Sequence, residues 1–211
     1  MQESKATRAT RASISVIPGL VALILLAAAA ASAFDYQVDA SHSEVTFKVK
    51  HLGISNITGH FEDFTASFDL DGDDLSTLKA EAVIQIKSVN TRDADRDKHL
   101  KSADFFDAEN YPEMRFVSTK AEVVGKNRVK LHGELTIRGV TRTVILDAEF
   151  SGAVRGPMGH KRAAFVASTT INRKDFGVSW NKVLDTGGLI VGDEVRIQIE
   201  LEAIQKDSTT D

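Results

Sequence analysis

The chain has 211 residues, a net charge of −4 at pH 7 and no cysteine. The missing cysteines exclude thiol catalysis and cysteine-ligated zinc. A mildly acidic chain without a cluster of lysine and arginine argues against a nucleic-acid partner, and also against docking onto anionic lipid head groups by charge alone.

The first predicted element is an export signal. Lys5, Arg8 and Arg11 precede an apolar run over residues 20–33, and Ala31-Ser32-Ala33 fits an A-x-A cleavage site. The run is short for a bilayer span, and Arg8 and Arg11 are not adjacent, which excludes a twin-arginine signal. We therefore expect a cleavable Sec-type signal peptide over residues 1–33.

The remaining residues are expected to form one domain over residues 34–206, followed by a polar tail over residues 207–211. This length is typical of a single domain, and no proline-rich linker interrupts it.

Alternation of apolar and polar residues predicts eight β-strands with one buried face each. In the second predicted strand, strict alternation would place Phe61 and Phe64 on opposite faces of the sheet. A β-bulge between them would bring both to the buried face. A two-residue turn at Arg138-Gly139 would pair Ile137 with Val140 and Leu131 with Leu146, so the register of one hairpin is predicted as well.

The strands predict closure into a barrel or a two-sheet sandwich. Their inner faces mix phenylalanine with small residues such as Gly59, Gly133, Ala66 and Ala167. Such mixing is typical of tight packing and equally of a slot for a ligand, and the sequence leaves both open.

One segment breaks the alternation. Residues 91–101 suit a helix that Thr91 or Asp93 caps, and the predicted helical insertion extends to about residue 107. Phe105, Phe106 and Tyr111 follow and are expected to cover an open barrel end.

The same segment holds the strongest candidate for chemistry. His99 has Asp95 and Arg96 within one turn, an arrangement that suits a general base but also a solvated helix face. The sequence contains no G-x-S-x-G, no H-E-x-x-H and no glycine-rich phosphate loop, and no metal site is expected. His51 and Arg142 lie near strand ends, at positions where alternation would place their side chains on the apolar face of the strand.

The chain resembles the YceI-like family of bacterial periplasmic polyisoprenoid-binding proteins. The resemblance covers nearly all of residues 34–206, and no one motif is specific without the others. In order, the motifs are Asp39-x-x-His42-Ser43, Val45 to His51, Gly59-x-Phe61, Arg96 to Asp107, Tyr111-Pro112, Gly133 to Thr141, Ile171 to Gly177 and Val191 to Val195.

The resemblance implies an all-β fold, an eight-stranded antiparallel lipocalin-like barrel whose apolar interior holds a polyisoprenoid tail, and a location in the periplasm. The positions expected to face or gate this tunnel are Phe47, Val49, Phe61, Leu100, Phe105, Phe106 and Phe116. The positions expected near a polar head group are Arg96, Asp97 and His99, with Arg142 added from its parity.

The leading hypothesis is a binding or carrier protein for an isoprenoid quinone, a prenyl lipid or another long-chain amphiphile, not an enzyme. Its ligand is that lipid, and no other cofactor is expected. A lipid-acting enzyme that uses Asp97 and His99, and a stress-related interaction protein, are the alternatives. A transient membrane contact and a homodimer are left open.

Overall fold

The computed structural model describes residues 35–183, 185 and 187–206. The predicted signal peptide and the predicted polar tail lie outside these residues.

Eleven β-strands and one α-helix make up most of the described residues. The strands are β1 Tyr36–Val38, β2 Glu44–His51, β3 Ser55–Phe61, β4 Phe64–Asp71, β5 Asp74–Gln85, β6 Val89–Asn90, β7 Glu113–Gly125, β8 Arg128–Ile137, β9 Val140–Arg155, β10 Lys161–Asn172 and β11 Val191–Gln205. The helix α1 is Ala94–Lys101, and short 3-10 helices lie at Ala40–His42, Ile86–Ser88 and Arg173–Phe176.

Eight of the strands form a closed antiparallel ring, in the order β1-β4-β5-β7-β8-β9-β10-β11. The ring closes because β1 pairs with both β4 and β11, through Tyr36 opposite Phe68 and opposite Gln205. The prediction of an eight-stranded antiparallel barrel is confirmed.

The remaining strands, β2, β3 and β6, lengthen the barrel at one end. β2 continues along β11 beyond β1, β3 leads into β4, and β6 continues from β5 and pairs with β3. α1 follows β6 directly, so we call this the helix end. The opposite end, where Gln205 of β11 and the β9–β10 turn lie, is the far end.

The predicted β-bulge between Phe61 and Phe64 is instead a break between two strands. β3 ends at Phe61 and β4 begins at Phe64, and both side chains are buried. Because the strand is interrupted, Phe61 and Phe64 both point into the core, although strict alternation would place them on opposite faces.

The helix predicted within residues 91–101 is confirmed. It ends at Lys101, and Asp93, one of the two predicted caps, accepts a hydrogen bond from the Arg96 amide at 3.1 Å. Ser102 and its successors form turns that carry Phe105 into the core.

The predicted hairpin register is confirmed. Ile137 pairs with Val140 and Leu131 with Leu146. Arg138 and Gly139 have φ values of 50° and 71°, as a type I′ turn requires at both central positions.

Small inner-face residues serve two purposes. A Cβ added to Gly59 or Gly133 would overlap the ring of Phe47 or Phe116, so the two glycines allow close aromatic packing. The alanines at positions 66, 82, 148 and 167 instead line a cavity in the barrel. The small residues therefore serve tight packing at some positions and line a cavity at others, so both predicted interpretations apply.

Replacing Gly133 by alanine is expected to destabilise the fold by about 1 to 3 kcal/mol, because the new methyl group overpacks the core. It would overlap Phe116 and lie 2.7 Å from the carbonyl oxygen of Val117. Urea unfolding measures the change. Gly125→Ala is the matched control, since its nearest neighbour would be 3.6 Å away. Equal stability of the two variants would contradict the packing argument.

Candidate functional site

A deep apolar cavity of about 140 Å³ lies within the ring of strands. Four phenylalanines from three strands line it together with aliphatic residues and five alanines; the phenylalanines are Phe64, Phe68, Phe116 and Phe165. Because its walls are almost entirely hydrocarbon, the cavity suits an apolar group and offers nothing to hold water.

A second apolar cavity of about 110 Å³ lies at the helix end. Six of the seven residues predicted to face a tunnel line it, and the seventh, Phe116, lines the deep cavity. The six are Phe47, Val49, Phe61, Leu100, Phe105 and Phe106. That these residues contact a ligand stays a prediction.

The two apolar cavities share three lining residues, Met114, Ile137 and Ile197. These side chains therefore stand between the cavities. A continuous apolar path through both cavities would require these three side chains to move aside.

An outer cavity of about 180 Å³ adjoins the second one, with which it shares Phe47, Leu100 and Phe105 among its walls. Its other lining residues are mixed: aliphatic side chains such as Ile57 and Ile190 lie beside the polar or amphipathic Thr91, Arg96, His99, Lys50, His51 and Trp180. Lys50 is exposed and the Arg96 and His99 side chains are partly exposed, so this cavity reaches the surface.

Thr91 organises the polar wall of the outer cavity. Its buried hydroxyl and amide donate to the Asp97 carboxylate, and Arg96 donates from Nε to the Thr91 hydroxyl and from Nη2 to its carbonyl, each at 2.7 Å. Asp97 does not line the cavity. Its role in this geometry is to anchor the start of α1, while Arg96 remains in the cavity wall.

His99 is placed among aromatic rings. Its ring meets Phe105 and Trp180 edge to face, with centroids 5.0 and 4.8 Å apart, and its Nε2 lies 2.9 Å from Oδ2 of Asp104. The carboxylate partner of His99 is therefore Asp104, whereas Asp97 bonds to Thr91. The two residues that the enzyme hypothesis named, Asp97 and His99, are therefore not hydrogen-bonded to each other.

Arg142 is not part of this site. Its position opposite Leu135 was predicted correctly, but its side chain is exposed, bonds to the carbonyl of Thr141 and lines none of the three cavities. The parity argument failed because Arg142 lies near the start of β9, where the side chain reaches water past the strand end. The other residue on apolar parity, His51, does line the outer cavity.

The sequence did not single out Arg173, which fixes the segment that carries Trp180. Its guanidinium is buried beside the second cavity and donates to the carbonyls of Gly192, Val178 and Trp180 at 2.6 to 2.9 Å. It also bonds to Asp193. Burial lowers the pKa of Arg173, and Asp193 opposes that effect. With these partners the cation acts as a clamp.

A serine, a histidine and an aspartate meet at the β1–β2 junction, but not in the order of a catalytic triad. The Ser41 hydroxyl and the Asp39 carboxylate both lie 3.0 Å from the same nitrogen of His42, Nδ1. A relay needs opposite nitrogens of the ring. Asp39 instead caps a 3-10 helix and pairs with Arg162 of β10, which supports the junction.

Within residues 35–183, 185 and 187–206, no group of three or more histidine, cysteine, aspartate or glutamate side chains is placed to hold a metal ion. Over the same residues, no helix combines the length and the apolar character that crossing a bilayer requires.

Comparison with known proteins places the geometry in context. The YceI-like domain family matches residues 36–203. A UPF0312 protein of Staphylococcus epidermidis is 39% identical over 168 residues, which are 79% of this chain and 95% of the relative.

Two solved structures share the architecture. The Burkholderia cenocepacia protein BcnA superposes with a TM-score of 0.69 at 28% identity, over 78% of this chain and 98% of BcnA. A polyisoprenoid-binding domain from Saccharophagus degradans, implicated in plant cell wall breakdown, superposes with a TM-score of 0.62 over 82% of this chain and 99% of the domain. Its 16% identity shows a common fold.

Replacing Arg173 by methionine is expected to cost about 2 to 5 kcal/mol of unfolding free energy, because several buried carbonyls lose their donor. Urea unfolding measures the loss, and Trp180 fluorescence reports the loosened segment. Lys174→Met is the matched control: Lys174 is exposed and shares the partner Asp193, so its loss costs about 1 kcal/mol at most. A comparable loss in both variants would refute the clamp.

Stability is expected to fall as the pH drops from about 4 toward 2, partly through Asp39. Hydrogen bonds from Ser41, and then from His42, hold the pKa of Asp39 at about 2, below its usual value of 3.8. A lowered pKa stabilises the fold above the unfolded-state pKa and loses that effect as the carboxylate protonates. The urea midpoint of Asp39→Asn should therefore vary less with pH in this range. An unchanged slope would show that the carboxylate does not contribute.

Proposed function

The chain belongs to the YceI-like family, and from that premise we propose that it binds a polyisoprenoid or similar long-chain lipid, with the tail in the apolar cavities and the head in the outer cavity. The observation that carries the proposal is that three cavities adjoin in a row: two in the interior have almost entirely apolar walls, and the polar side chains of Arg96 and His99 enter the wall only in the outer one. An amphiphilic lipid has a matching arrangement, with an apolar tail at one end and a polar head group at the other.

The tail supplies the affinity in this proposal. Each methylene group transferred from water to an apolar site contributes about 0.8 kcal/mol, and a hydrocarbon needs no hydrogen-bonding partner. The phenylalanine, leucine and alanine walls of the deep and second cavities meet that requirement.

The volumes set a scale for the tail. A cavity of about 150 Å³ with aliphatic and aromatic walls accommodates benzene, so cavities of about 140 and 110 Å³ each suit roughly one isoprene unit. A longer tail must displace the residues between them. Met114 is the most adaptable of the three because its unbranched side chain has several rotatable bonds.

The head group would meet Arg96, His99 and Trp180 in the outer cavity. Arg96 keeps its Nη1 atom outside the Thr91 network, 3.6 Å from Asp93, where a carbonyl or phosphate oxygen of a ligand has access to it. Aromatic rings beside the cation favour a planar head such as a quinone, by stacking or edge contacts.

One structural neighbour supports this proposal. The Saccharophagus degradans neighbour is described as a polyisoprenoid-binding domain, and its barrel has the same fold. Together with the predicted signal peptide over residues 1–33, this leads us to propose a binding or carrier role in the periplasm.

Binding is tested by quenching of Trp180, which is the one tryptophan in the sequence and lines the outer cavity. A quinone bearing two isoprene units should quench its fluorescence at concentrations at least tenfold lower than the same quinone without a tail, because two units add several buried methylene equivalents. Equal quenching by both quinones would contradict tail binding.

Filling the deep cavity should remove the advantage of the tail. Ala167→Phe places a ring in the cavity, and Ala167→Met is a milder variant in case the ring prevents folding. Val166→Phe is the matched control, since Val166 precedes it on β10 and is exposed on the outer face. Tail-dependent quenching that survives in a folded Ala167 variant would place the ligand elsewhere.

A further inference from the structure

Two loops beside the outer cavity expose apolar side chains at the helix end. Leu52 and Ile54 lie in the β2–β3 turn, and Val183 and Leu189 lie in the connection before β11. We call these four residues the apolar rim.

Backbone contacts hold the rim together and place it at the cavity. The Leu52 amide donates to the carbonyl of Ile190 at 2.8 Å, and Val183 and Leu189 form a β-bridge. His51 and Ile190, the neighbours of Leu52 and Leu189 in sequence, line the outer cavity. The exposed apolar surface therefore adjoins the place where the path from the interior reaches the surface.

The backbone at Leu52 is unusual for this residue. Its φ is 54°, in the left-handed region that glycine and asparagine tolerate and that disfavours a leucine. The leucine is 37% exposed, so part of its apolar surface faces water. A partly exposed leucine held in an unfavourable backbone conformation points to a role at the surface.

The charge of the two loops that carry the rim differs from that of the whole chain. The chain has a net charge of −4, but Lys50 and Lys182 flank the two loops. Asp185 is the one carboxylate among the described residues of these loops, 50–55, 182, 183, 185 and 187–190. Exposed apolar residues flanked by lysines match the interface of a bilayer, where the apolar groups enter the acyl region and the ammonium groups reach phosphates.

We propose that the apolar rim inserts into a lipid bilayer, so that the outer cavity exchanges its ligand with the membrane directly. The cargo in this statement rests on the proposed function, whereas docking itself does not. The bilayer fits better than a protein partner because the exposed apolar side chains are flanked by Lys50 and Lys182, a combination that matches the acyl region and the phosphates above it. For an isoprenoid cargo, direct transfer would also spare the methylene groups exposure to water.

Docking is tested by flotation with vesicles of phosphatidylethanolamine and phosphatidylglycerol that contain no isoprenoid. The full sequence is expressed, and the chain is purified in the form that the cells process, with its N-terminus determined by mass spectrometry. Ile54→Ser combined with Val183→Ser should lower the vesicle partition coefficient by about tenfold or more, since each side chain loses its apolar contact with the acyl region.

The far end offers a matched control. Val154 and Met158 are 67% and 85% exposed, against 66% and 83% for Val183 and Ile54. Val154 pairs with Arg162, which in turn pairs with Ile204, so this pair lies at the opposite end of the barrel. Val154→Ser combined with Met158→Ser removes the same exposed apolar character and should leave flotation unchanged. An equal loss in both double variants would overturn the proposal.

Leu52→Asn separates docking from stability. Asparagine adopts the left-handed backbone more readily than leucine, so the melting temperature should stay the same or rise while flotation falls. Wild-type flotation of the folded variant would overturn a role for Leu52.

The remaining outcomes distinguish the two proposals. If tail-dependent quenching of Trp180 is absent but the rim variants lose flotation, docking stands and the proposed function fails. If quenching is normal but the wild-type chain does not float, docking fails and the proposed function stands. If sedimentation velocity shows a dimer that Ile54→Ser with Val183→Ser abolishes, the rim is a contact between copies and docking is refuted.

Discussion

The pairing of β1 with both β4 and β11 is the constraint on which the rest of the structure depends. This three-residue strand closes the ring at the far end, where β1 is fixed by Tyr36 and by the adjoining Asp39–Arg162 ion pair. A closed ring satisfies the backbone hydrogen bonds of its strands from within and leaves no edge open. The fold therefore gains stability from its wall, and its interior does not have to be filled completely.

That freedom has an energetic limit. Unfilled volume in a core costs about 24 cal/mol per Å³ relative to a packed one, which amounts to about 3 kcal/mol for the deep cavity of about 140 Å³. Elsewhere the chain packs tightly, to the point that Gly133 leaves no room for a methyl group beside Phe116. Close packing at one position beside an apolar cavity at another is the arrangement that the proposed lipid-binding function requires.

The helix end combines a rigid frame with adaptable walls. Arg173 clamps the segment that carries Trp180, and Thr91 ties the start of α1 through Arg96 and Asp97. Between these two fixed points the path is bounded by rings and flexible apolar side chains, among them Phe105, whose ring lies 5.2 Å from Trp180. Polar interactions thus hold the elements in place, while the surface that a lipid would touch remains hydrocarbon.

The sequence by itself determined most of the long strands, the β8–β9 register and the break in regularity at α1, because each depends on local alternation or turn chemistry. It did not predict the short strands β1 and β6, and β1 is the strand that closes the ring. It also identified Phe47, Phe105 and Phe106 as inward-facing, through motif and parity. Three features were decided only by the tertiary structure. The partner of His99 is Asp104 rather than Asp97, the side chain of Arg142 is exposed to water, and Arg173 holds the segment that carries Trp180. Side-chain partners and strand-end exposure depend on which distant segments meet. A sequence pattern does not reveal that Arg96 and Trp180 line the same cavity, because only the folded barrel brings them together.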